Sequence, residues 1–388
     1  MWRHFASNML SILIVGLFLI GGLIIWGQRQ YSAAGPLEAA ICYQVAPGSS
    51  MGRVATELTD AGAVSNRALF RMAADYTDRA GLLKAGSFLI EPGSSMDSIL
   101  TQITTSGAST CGTEVVYRVG VNNLSVLVRE LDPATSSFVE RAAFSPAEGE
   151  APSAYVTAKE NPDTRFRIAI AEGATSWQIV TALRDIDVLA GAVAELPSEG
   201  SLAPNSYEVR AGDDRGELVE KMLTAQEDVL ARAWEDRAEG LPYADPNEAL
   251  IMASIIEKET GVADERRQVA SVFVNRLERG MRLQTDPTVI YGITRGEGVL
   301  GRGLRQSELR RETPWNTYVI DGLPPTPIAN PGEASIRAAL NPDDTPFIFF
   351  VADGTGGHAF AETLAEHNAN VAKWRAIEAE RAEAAASE

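Results

Sequence analysis

A glutamate that closes an apolar helix is well placed to hold a proton, and Glu257 is such a residue. It lies in Asp245-Pro246-Asn247-Glu248-Ala249-Leu250-Ile251-Met252-Ala253-Ser254-Ile255-Ile256-Glu257-Lys258-Glu259-Thr260-Gly261. Asp245 suits an N-cap, Pro246 the first helical turn, Glu248 the acid of a capping box, and Gly261 a C-terminal stop. Leu250, Ile251, Met252, Ala253, Ile255 and Ile256 cover nearly every direction of the helical wheel, which predicts a helix buried on most sides. Glu257 follows that run directly. Desolvation disfavours a charged carboxyl, so a raised proton affinity is expected there, as a general acid requires. A glutamate near the end of a buried helix is more often where the helix meets water, paired with an arginine such as Arg266 or Arg267. The helix alone favours that structural role.

The elements around this helix come from a chain of 388 residues, enough for two or three domains with real cores. Its formal net charge is −18 with 45% hydrophobic residues. That balance excludes a phosphate-backbone partner, so no nucleic acid is expected, while a neutral or zwitterionic glycan remains compatible. The two cysteines, Cys42 and Cys111, have no zinc-like spacing.

Residues 9–26 read MLSILIVGLFLIGGLIIW, without a charge. At helical rise they span roughly 27 Å, enough to cross a bilayer core. A cleaved signal peptide is the rival, with Ser32-Ala33-Ala34 as weak cleavage chemistry, and an uncleaved anchor is favoured. Arg3, His4 and the amino terminus face only Arg29 across the span, so charge barely sets its orientation. Everything that follows is one ectodomain.

After a short linker, CYQV reads as a strand, followed by a turn at Ala46-Pro47-Gly48-Ser49-Ser50 and an amphipathic helix through Leu58. A second helix fits 66–78, and 83–90 reads as a returning strand. Strand–helix–helix–strand in this length resembles a LysM-type glycan-binding module; a small α+β spacer is the alternative. The pattern recurs, as an internal repeat would. VAPGSSMGRVATEL, from Val45, matches IAEGATSWQIVTAL, from Ile170; AGSFLIEPGSS, from Ala85, matches PNSYEVRAGDD, from Pro204. Between the copies, 105–162 is rich in Ser, Ala, Pro and Glu with one strand-like run at Val115-Val116-Tyr117-Arg118-Val119, and is expected to be loop-rich.

Further on, an acidic helix is expected over 218–239 and another over 263–279. The text is loop-like at Leu283-Gln284-Thr285-Asp286-Pro287-Thr288 and a rigid Pro-rich loop at 322–332. A helix fits 333–340. Phe347-Ile348-Phe349-Phe350-Val351 reads as a buried strand, turned back by Asp353-Gly354-Thr355-Gly356-Gly357 into His358-Ala359-Phe360. A helix over 363–374 and a Glu/Arg/Ala tail close the chain.

ASIIEKETG (253–261), ASVFVNRL (270–277), GMRLQTDPTVIYG (280–292), NTYVIDGLPPTPIANPG (316–332) and FVADGTGGHAFAETLAEHN (350–368) occur in that order. They closely resemble the YceG-like family, the endolytic murein transglycosylases, over 41–375. The resemblance implies a single-pass inner-membrane enzyme, its ectodomain in the periplasm, cutting nascent peptidoglycan glycan strands. It implies Glu257, the glutamate opening EKET, as the catalytic residue. Peptidoglycan synthases of the elongation or division machinery are the protein partners in keeping with that role. One departure is Glu199-Gly-Ser-Leu-Ala-Pro-Asn-Ser-Tyr207, where the family carries the aromatic-bearing EGYLFPDTY, so that loop's sugar contacts are expected to differ.

The fold class expected is α+β, with an N-terminal transmembrane helix, LysM-like modules and a mixed α/β catalytic domain around a buried helix. The boundaries are a cytoplasmic N-terminus 1–8, the transmembrane helix 9–27, a LysM-like module 41–106 and an insertion 107–164. A second LysM-like repeat region 165–225, the transglycosylase domain 226–375 and a solvated tail 376–388 follow.

Glycoside cleavage needs an acid for the leaving oxygen and usually a second carboxylate. Lytic transglycosylases instead use the sugar's own C6 hydroxyl, forming a 1,6-anhydro ring, so one glutamate can act as acid and then base. Gln284, Thr285, Asp286, Asn316, Tyr318 and His358 have side chains suited to hold the sugar, and each could equally be structural. Glu259, about 200° round the helix from Glu257, is expected off the site. His358 and His367 lack a third compact ligand, so no metal is expected. No cofactor is expected either. An older family label, aminodeoxychorismate lyase, would need a pyridoxal-phosphate lysine and a phosphate loop, and only Lys258 lies near the site. The other alternative is a non-catalytic, membrane-anchored peptidoglycan-binding scaffold. Cys42 and Cys111 both fall on the periplasmic side of this arrangement. A bridge between them would close a loop of about seventy residues and contribute roughly 4 kcal/mol; two free thiols are the alternative.

Overall fold

The computed structural model describes residues 2–105 and 109–386. The start of the 1–8 segment, the junction of 41–106 with 107–164 and the last two residues of the tail lie outside the described residues.

In chain order the elements begin with α1 (Trp2–Ser32), β1 (Ile41–Val45), α2 (Met51–Asp60), α3 (Arg67–Tyr76), β2 (Gly86–Ile90) and α4 (Met96–Thr105). Then come β3 (Thr113–Val119), β4 (Leu124–Asp132), β5 (Ser137–Phe144), α5 (Ser153–Glu160), β6 (Arg165–Ile170), α6 (Ser176–Asp185) and β7 (Ser206–Val209). The remainder is α7 (Arg215–Glu235), α8 (Pro246–Glu259), α9 (Arg266–Glu278), α10 (Asp286–Thr294), α11 (Gln306–Leu309), α12 (Glu333–Leu340), β8 (Phe349–Ala352), β9 (His358–Ala361) and α13 (Leu364–Ala386). The fold is mixed α+β with one N-terminal apolar helix, in which Leu13–Ser32 is long and apolar enough to cross a membrane. The strands form two antiparallel pairs, β1-β2 and β8-β9, and a five-stranded sheet of order β5-β4-β3-β6-β7.

The chain divides into two compact units. The first comprises Met1–Val115, Leu127–Ala143 and Ala151–Arg165. Its core gathers Val45, Val54, Leu58, Phe70, Phe88, Ile90, Ile99 and Ile103 from the β1-α2-α3-β2-α4 run. β1 and β2 pair from Ile41 with Ile90 to Val45 with Gly86. Ser50 caps α2 and Asn66 caps α3 through their side chains, satisfying amides that a helix start leaves open. Cys42 of β1 is joined by a disulfide to Cys111, their Cα atoms 5.9 Å apart.

The second unit comprises Val116–Val126, Phe144–Glu150 and Phe166–Glu388. Its core is built on α8, whose residues from Ala249 to Ile256 are all buried. Met252, Ala253, Ile255 and Ile256 are wholly enclosed among Phe273, Leu283, Ile328, Ile336 and Leu340. Each such aliphatic side chain contributes about 1.5–3 kcal/mol by leaving water. The N-terminus of α8 is set as its sequence dictates: Asp245 Oδ1 accepts the Glu248 amide at 3.0 Å, and Pro246 fills the first turn. Glu248 reaches back to the Ala244 amide, one residue before the N-cap.

Several expectations need correction. The strand-like run at 115–119 is part of β3, but the rest of 105–162, expected to be loop-rich, also carries β4, β5 and α5. β5 is almost wholly exposed along its length, so it has no apolar alternation to betray a strand. Thr285-Asp286-Pro287, read as loop, instead opens α10, with proline in its first turn. The second repeat reproduces strand, turn and helix as β6-α6 with β7 returning, but no second helix lies between α6 and β7. α13 continues into the expected solvated tail as far as Ala386, with 378–383 exposed.

Candidate active site

The two repeats share a turn whose geometry demands glycine: Gly48 and Gly173 both have φ of +76°. In the second repeat this turn is built into a buried polar cluster. Asn330, fully enclosed, receives the Gly173 amide on its carbonyl at 2.9 Å and donates its own amide to the Ala174 carbonyl at 2.9 Å. Its side chain donates to the Ala174 carbonyl at 3.0 Å and to Ser176 Oγ at 3.2 Å, and accepts the Leu202 amide at 2.8 Å. Gln226 of α7 donates to the Gly200 and Pro331 carbonyls, both at 3.1 Å. The Asn330-Pro331-Gly332 stretch is thereby held between α7 and the turn before α6.

That stretch reaches Glu257. The Gly332 amide donates to Glu257 Oε2 at 2.9 Å, and Glu257 Cγ lies 3.5 Å from where a β-carbon on Gly173 would stand. Glu257 is half-buried, not sealed in apolar surroundings as the run before it suggested. A second carboxyl, Glu172, lies against the α-carbon of Gly332, where a β-carbon would overlap it. Its proton affinity is raised by burial of its carboxyl end and by the charge of Glu257, against the opposing effect of Arg266. Lys258 donates to the Gly173 carbonyl at 3.2 Å. Desolvation lowers its proton affinity, while Glu257 and Glu199 raise it. Neither arginine suggested as a partner for Glu257 takes that role in an ion pair: Arg267 pairs with Asp343 at 3.0 Å, and Arg266 acts on Glu172.

Glu199, in the segment that departs from the family pattern, joins three parts of this unit through its carboxyl. Oε1 accepts the Ser176 amide at 2.8 Å and Asn330 Nδ2 at 3.3 Å, and Oε2 accepts the Tyr291 hydroxyl at 3.2 Å. Burial raises its proton affinity, and hydrogen bonds from Ser176, Tyr291 and the Gly200 backbone oppose that.

The other candidates assemble elsewhere. Thr285 donates its hydroxyl to Glu259, and the Tyr318 hydroxyl donates to Asp286 at 2.7 Å. Burial, then the charge of Asp286, pushes the Glu259 carboxyl above the usual carboxylate range, opposed by Thr285, His358 and Arg276. His358 contacts Glu265 at 2.9 Å through Nδ1, and with Glu259, Gly357 and Trp374 it lines a cleft of about 270 Å³. Thr285, Asp286, Tyr318 and His358 therefore form a set around Glu259, the carboxylate expected off the site. Gln284 is exposed with φ of +50°, and Asn316 is consumed by the Glu308, Leu309 and Arg311 carbonyls. His367 stacks on Phe349. Glu172 and Asn330 were missed by sequence reasoning. The aligned repeats carried the signal for the first, since Ala171-Glu172-Gly173 stands where the first copy has Ala46-Pro47-Gly48.

This chain belongs to the YceG-like family, which matches residues 43–373. It is 37% identical over 172 residues to the endolytic murein transglycosylase of Bacillus subtilis (strain 168), covering 44% of this chain and 46% of that protein. It is 28% identical over 225 residues to the endolytic murein transglycosylase of Streptococcus pneumoniae serotype 2 (strain D39 / NCTC 7466), covering 52% and 40%. The chain spans less than half the length of the curated relatives it matches. A crystal structure of a yceG-like protein from Listeria monocytogenes aligns over 85% of this chain and 98% of that one, at 25% identity and a TM-score of 0.46.

Proposed function

We propose that this protein is a membrane-anchored endolytic lytic transglycosylase. It cleaves the MurNAc–GlcNAc bond within nascent peptidoglycan strands, leaves 1,6-anhydro-MurNAc ends and so terminates strand elongation. Glu257 is its acid–base residue. The observation that carries this reading is the setting of Glu257: a half-buried carboxyl at the end of a helix enclosed over eight residues, oriented by one backbone amide. A rigid helix and a fixed donor hold the carboxyl in place for a polymer approaching from solvent.

The chemistry balances on one glutamate. The Glu257 carboxyl gives its proton to the bridging oxygen, and the C1–O bond breaks with its electron pair going to that oxygen. The C6 hydroxyl oxygen of the same sugar then bonds to C1, and its proton returns to Glu257. No water is consumed. The apolar stretch Leu13–Ser32 serves as the anchor, the ectodomain faces the periplasm, and the β1-α2-α3-β2 run with its partial repeat contributes LysM-like glycan contacts. Peptidoglycan synthases are the partners in keeping with that placement.

Digestion of purified sacculi followed by mass spectrometry of the muropeptides tests the reaction. Anhydro ends at internal positions are expected, and reducing ends would replace this reading with a hydrolase. A reporter active only in the periplasm, fused after Glu388, is expected to be active; activity of a cytoplasm-only reporter there would overturn the topology.

A further inference from the structure

Glu172 has no role in a one-glutamate reaction, yet it is built into the same few atoms as Glu257. The Gly332 amide donates to Glu257 Oε2 at 2.9 Å, while a β-carbon on that same glycine would overlap Oε1 of Glu172. An amide nitrogen and a β-carbon of one residue stand about 2.5 Å apart, so the two carboxylates lie within roughly 7 Å of each other. Paired carboxyls of glycoside-cleaving enzymes are spaced about 5 to 9.5 Å apart. A β-carbon at 332 would displace the Glu172 carboxyl, while the backbone itself, at φ −73° and ψ 163°, is open to any residue.

The repeat supplies a second, independent reason to single out Glu172. Both copies keep the turn and its left-handed glycine, Gly48 and Gly173 at φ +76°. Both cap the following helix, with Ser50 and with Thr175. The turn itself therefore does not need a carboxyl between alanine and glycine, because the first copy makes it with Pro47. Glu172 is also open to solvent, unlike the half-buried Glu199, whose oxygens are taken by Ser176, Asn330 and Tyr291.

We propose that Glu172 and Glu257 form a carboxylate dyad that carries a single proton through the cleavage, with Glu172 as the second acid–base group. This rests on the reaction proposed above. The dyad gives its proton to the bridging oxygen as the C1–O bond breaks, and is then doubly ionised. The C6 hydroxyl loses its proton to the dyad as its oxygen bonds to C1, which restores the starting state. Two carboxylates this close resist holding two negative charges, so taking that one proton back is favoured. The charged groups that bear on the pair are Lys258 of α8, Arg266 of α9 and Glu199, which acts through Lys258.

The test uses the full chain in detergent, labelled with 13C at glutamate carboxyls, with Glu172→Gln and Glu257→Gln spectra assigning the two resonances. The Glu172 titration midpoint is expected above that of exposed glutamates and to fall by about one pH unit in Glu257→Gln. An unchanged midpoint overturns the shared proton whatever the activity. On purified glycan strands, Glu172→Gln is expected to release anhydro ends at least ~10-fold more slowly, with Glu172→Asp recovering part of the rate. A wild-type rate and pH profile for Glu172→Gln overturn the catalytic assignment. If the unaltered protein leaves strands uncut while the midpoint shift is present, the reaction proposed above falls and the coupled pair stands.

Discussion

Glu257 and Glu259 stand two residues apart on α8 and face separate partners, Glu257 the Gly332 amide at 2.9 Å and Glu259 the Thr285 hydroxyl. Successive residues turn by about 100°, so the two carboxyls point in nearly opposite directions from one helix. Only Glu257 shares its surroundings with a second carboxyl from the repeat turn, and only Glu259 with the polar residues of the α10 start. Glu257→Gln keeps the acceptor for the Gly332 amide and removes the proton. Release of anhydro ends is expected to fall at least ~10²-fold with the melting temperature unchanged. Should Glu259→Gln abolish activity while Glu257→Gln retains it, the catalytic carboxyl is the other one.

Glu259 should instead show itself in stability. Its carboxyl is held above the usual carboxylate range chiefly by burial. The folded state therefore binds that proton more tightly than the unfolded chain does. Its contribution is complete below the unfolded value, about 4.3, and is lost as pH rises through the higher folded value. Glu259→Gln keeps an acceptor for Thr285 and cannot ionise. Melting curves from pH 4 to 8 should show the variant gaining on the unaltered chain as pH rises, and equal or more stable at pH 7. A difference that stays constant with pH would mean that Glu259 does not titrate with folding.

α8 was legible because its signals are local: a cap at Asp245, proline at 246 and six apolar residues in seven positions. The first module was legible for the same reason, with alternating burial in β1 and two short amphipathic helices. β5 was not, since Ser137 to Phe144 buries almost nothing and leaves no periodicity to read. The site was half legible. Glu257 announces itself by its neighbours, but Glu172 and Asn330 are brought to it across more than seventy residues of chain. Asn330 bonds backbone groups such as the Ala174 carbonyl and the Leu202 amide, and Glu172 packs against the α-carbon of Gly332, contacts that no side-chain pattern marks. The grouping of Thr285, Asp286, Tyr318 and His358 with Glu259 likewise depends on how α9, α10 and the β8-β9 hairpin pack.

The Cys42–Cys111 bridge ties β1 to the chain just after α4, across a sequence separation of 69 residues. Closing a loop of that length restricts the unfolded chain by roughly 4 kcal/mol, less any strain. A thiol count under denaturing, non-reducing conditions is expected to find no free thiol. Reductant is then expected to lower the stability of the first compact unit while leaving the α8 region's protection from hydrogen exchange unchanged. Two titratable thiols per chain would rule the bridge out.

Gly332→Ala separates position from fold. Residue 332 has extended backbone, open to any residue, and the atoms that an alanine methyl would meet are Glu172 Oε1, Cδ and Cγ, the mobile end of a side chain. The glutamate can swing away at little cost, so the melting temperature should move by no more than about 2 °C. The swing takes Glu172 from its place beside Glu257, and activity should fall roughly 10-fold. Gly173→Ala makes the opposite trade. Its φ of +76° costs an L residue about 1–2 kcal/mol, although Glu257 Cγ and Lys258 Cδ would lie at ordinary contact distances of 3.5 and 3.4 Å. Stability should drop in Gly173→Ala and hold in Gly332→Ala. Full activity in Gly332→Ala, with Glu172 displaced, would show that the position of Glu172 does not matter to the reaction.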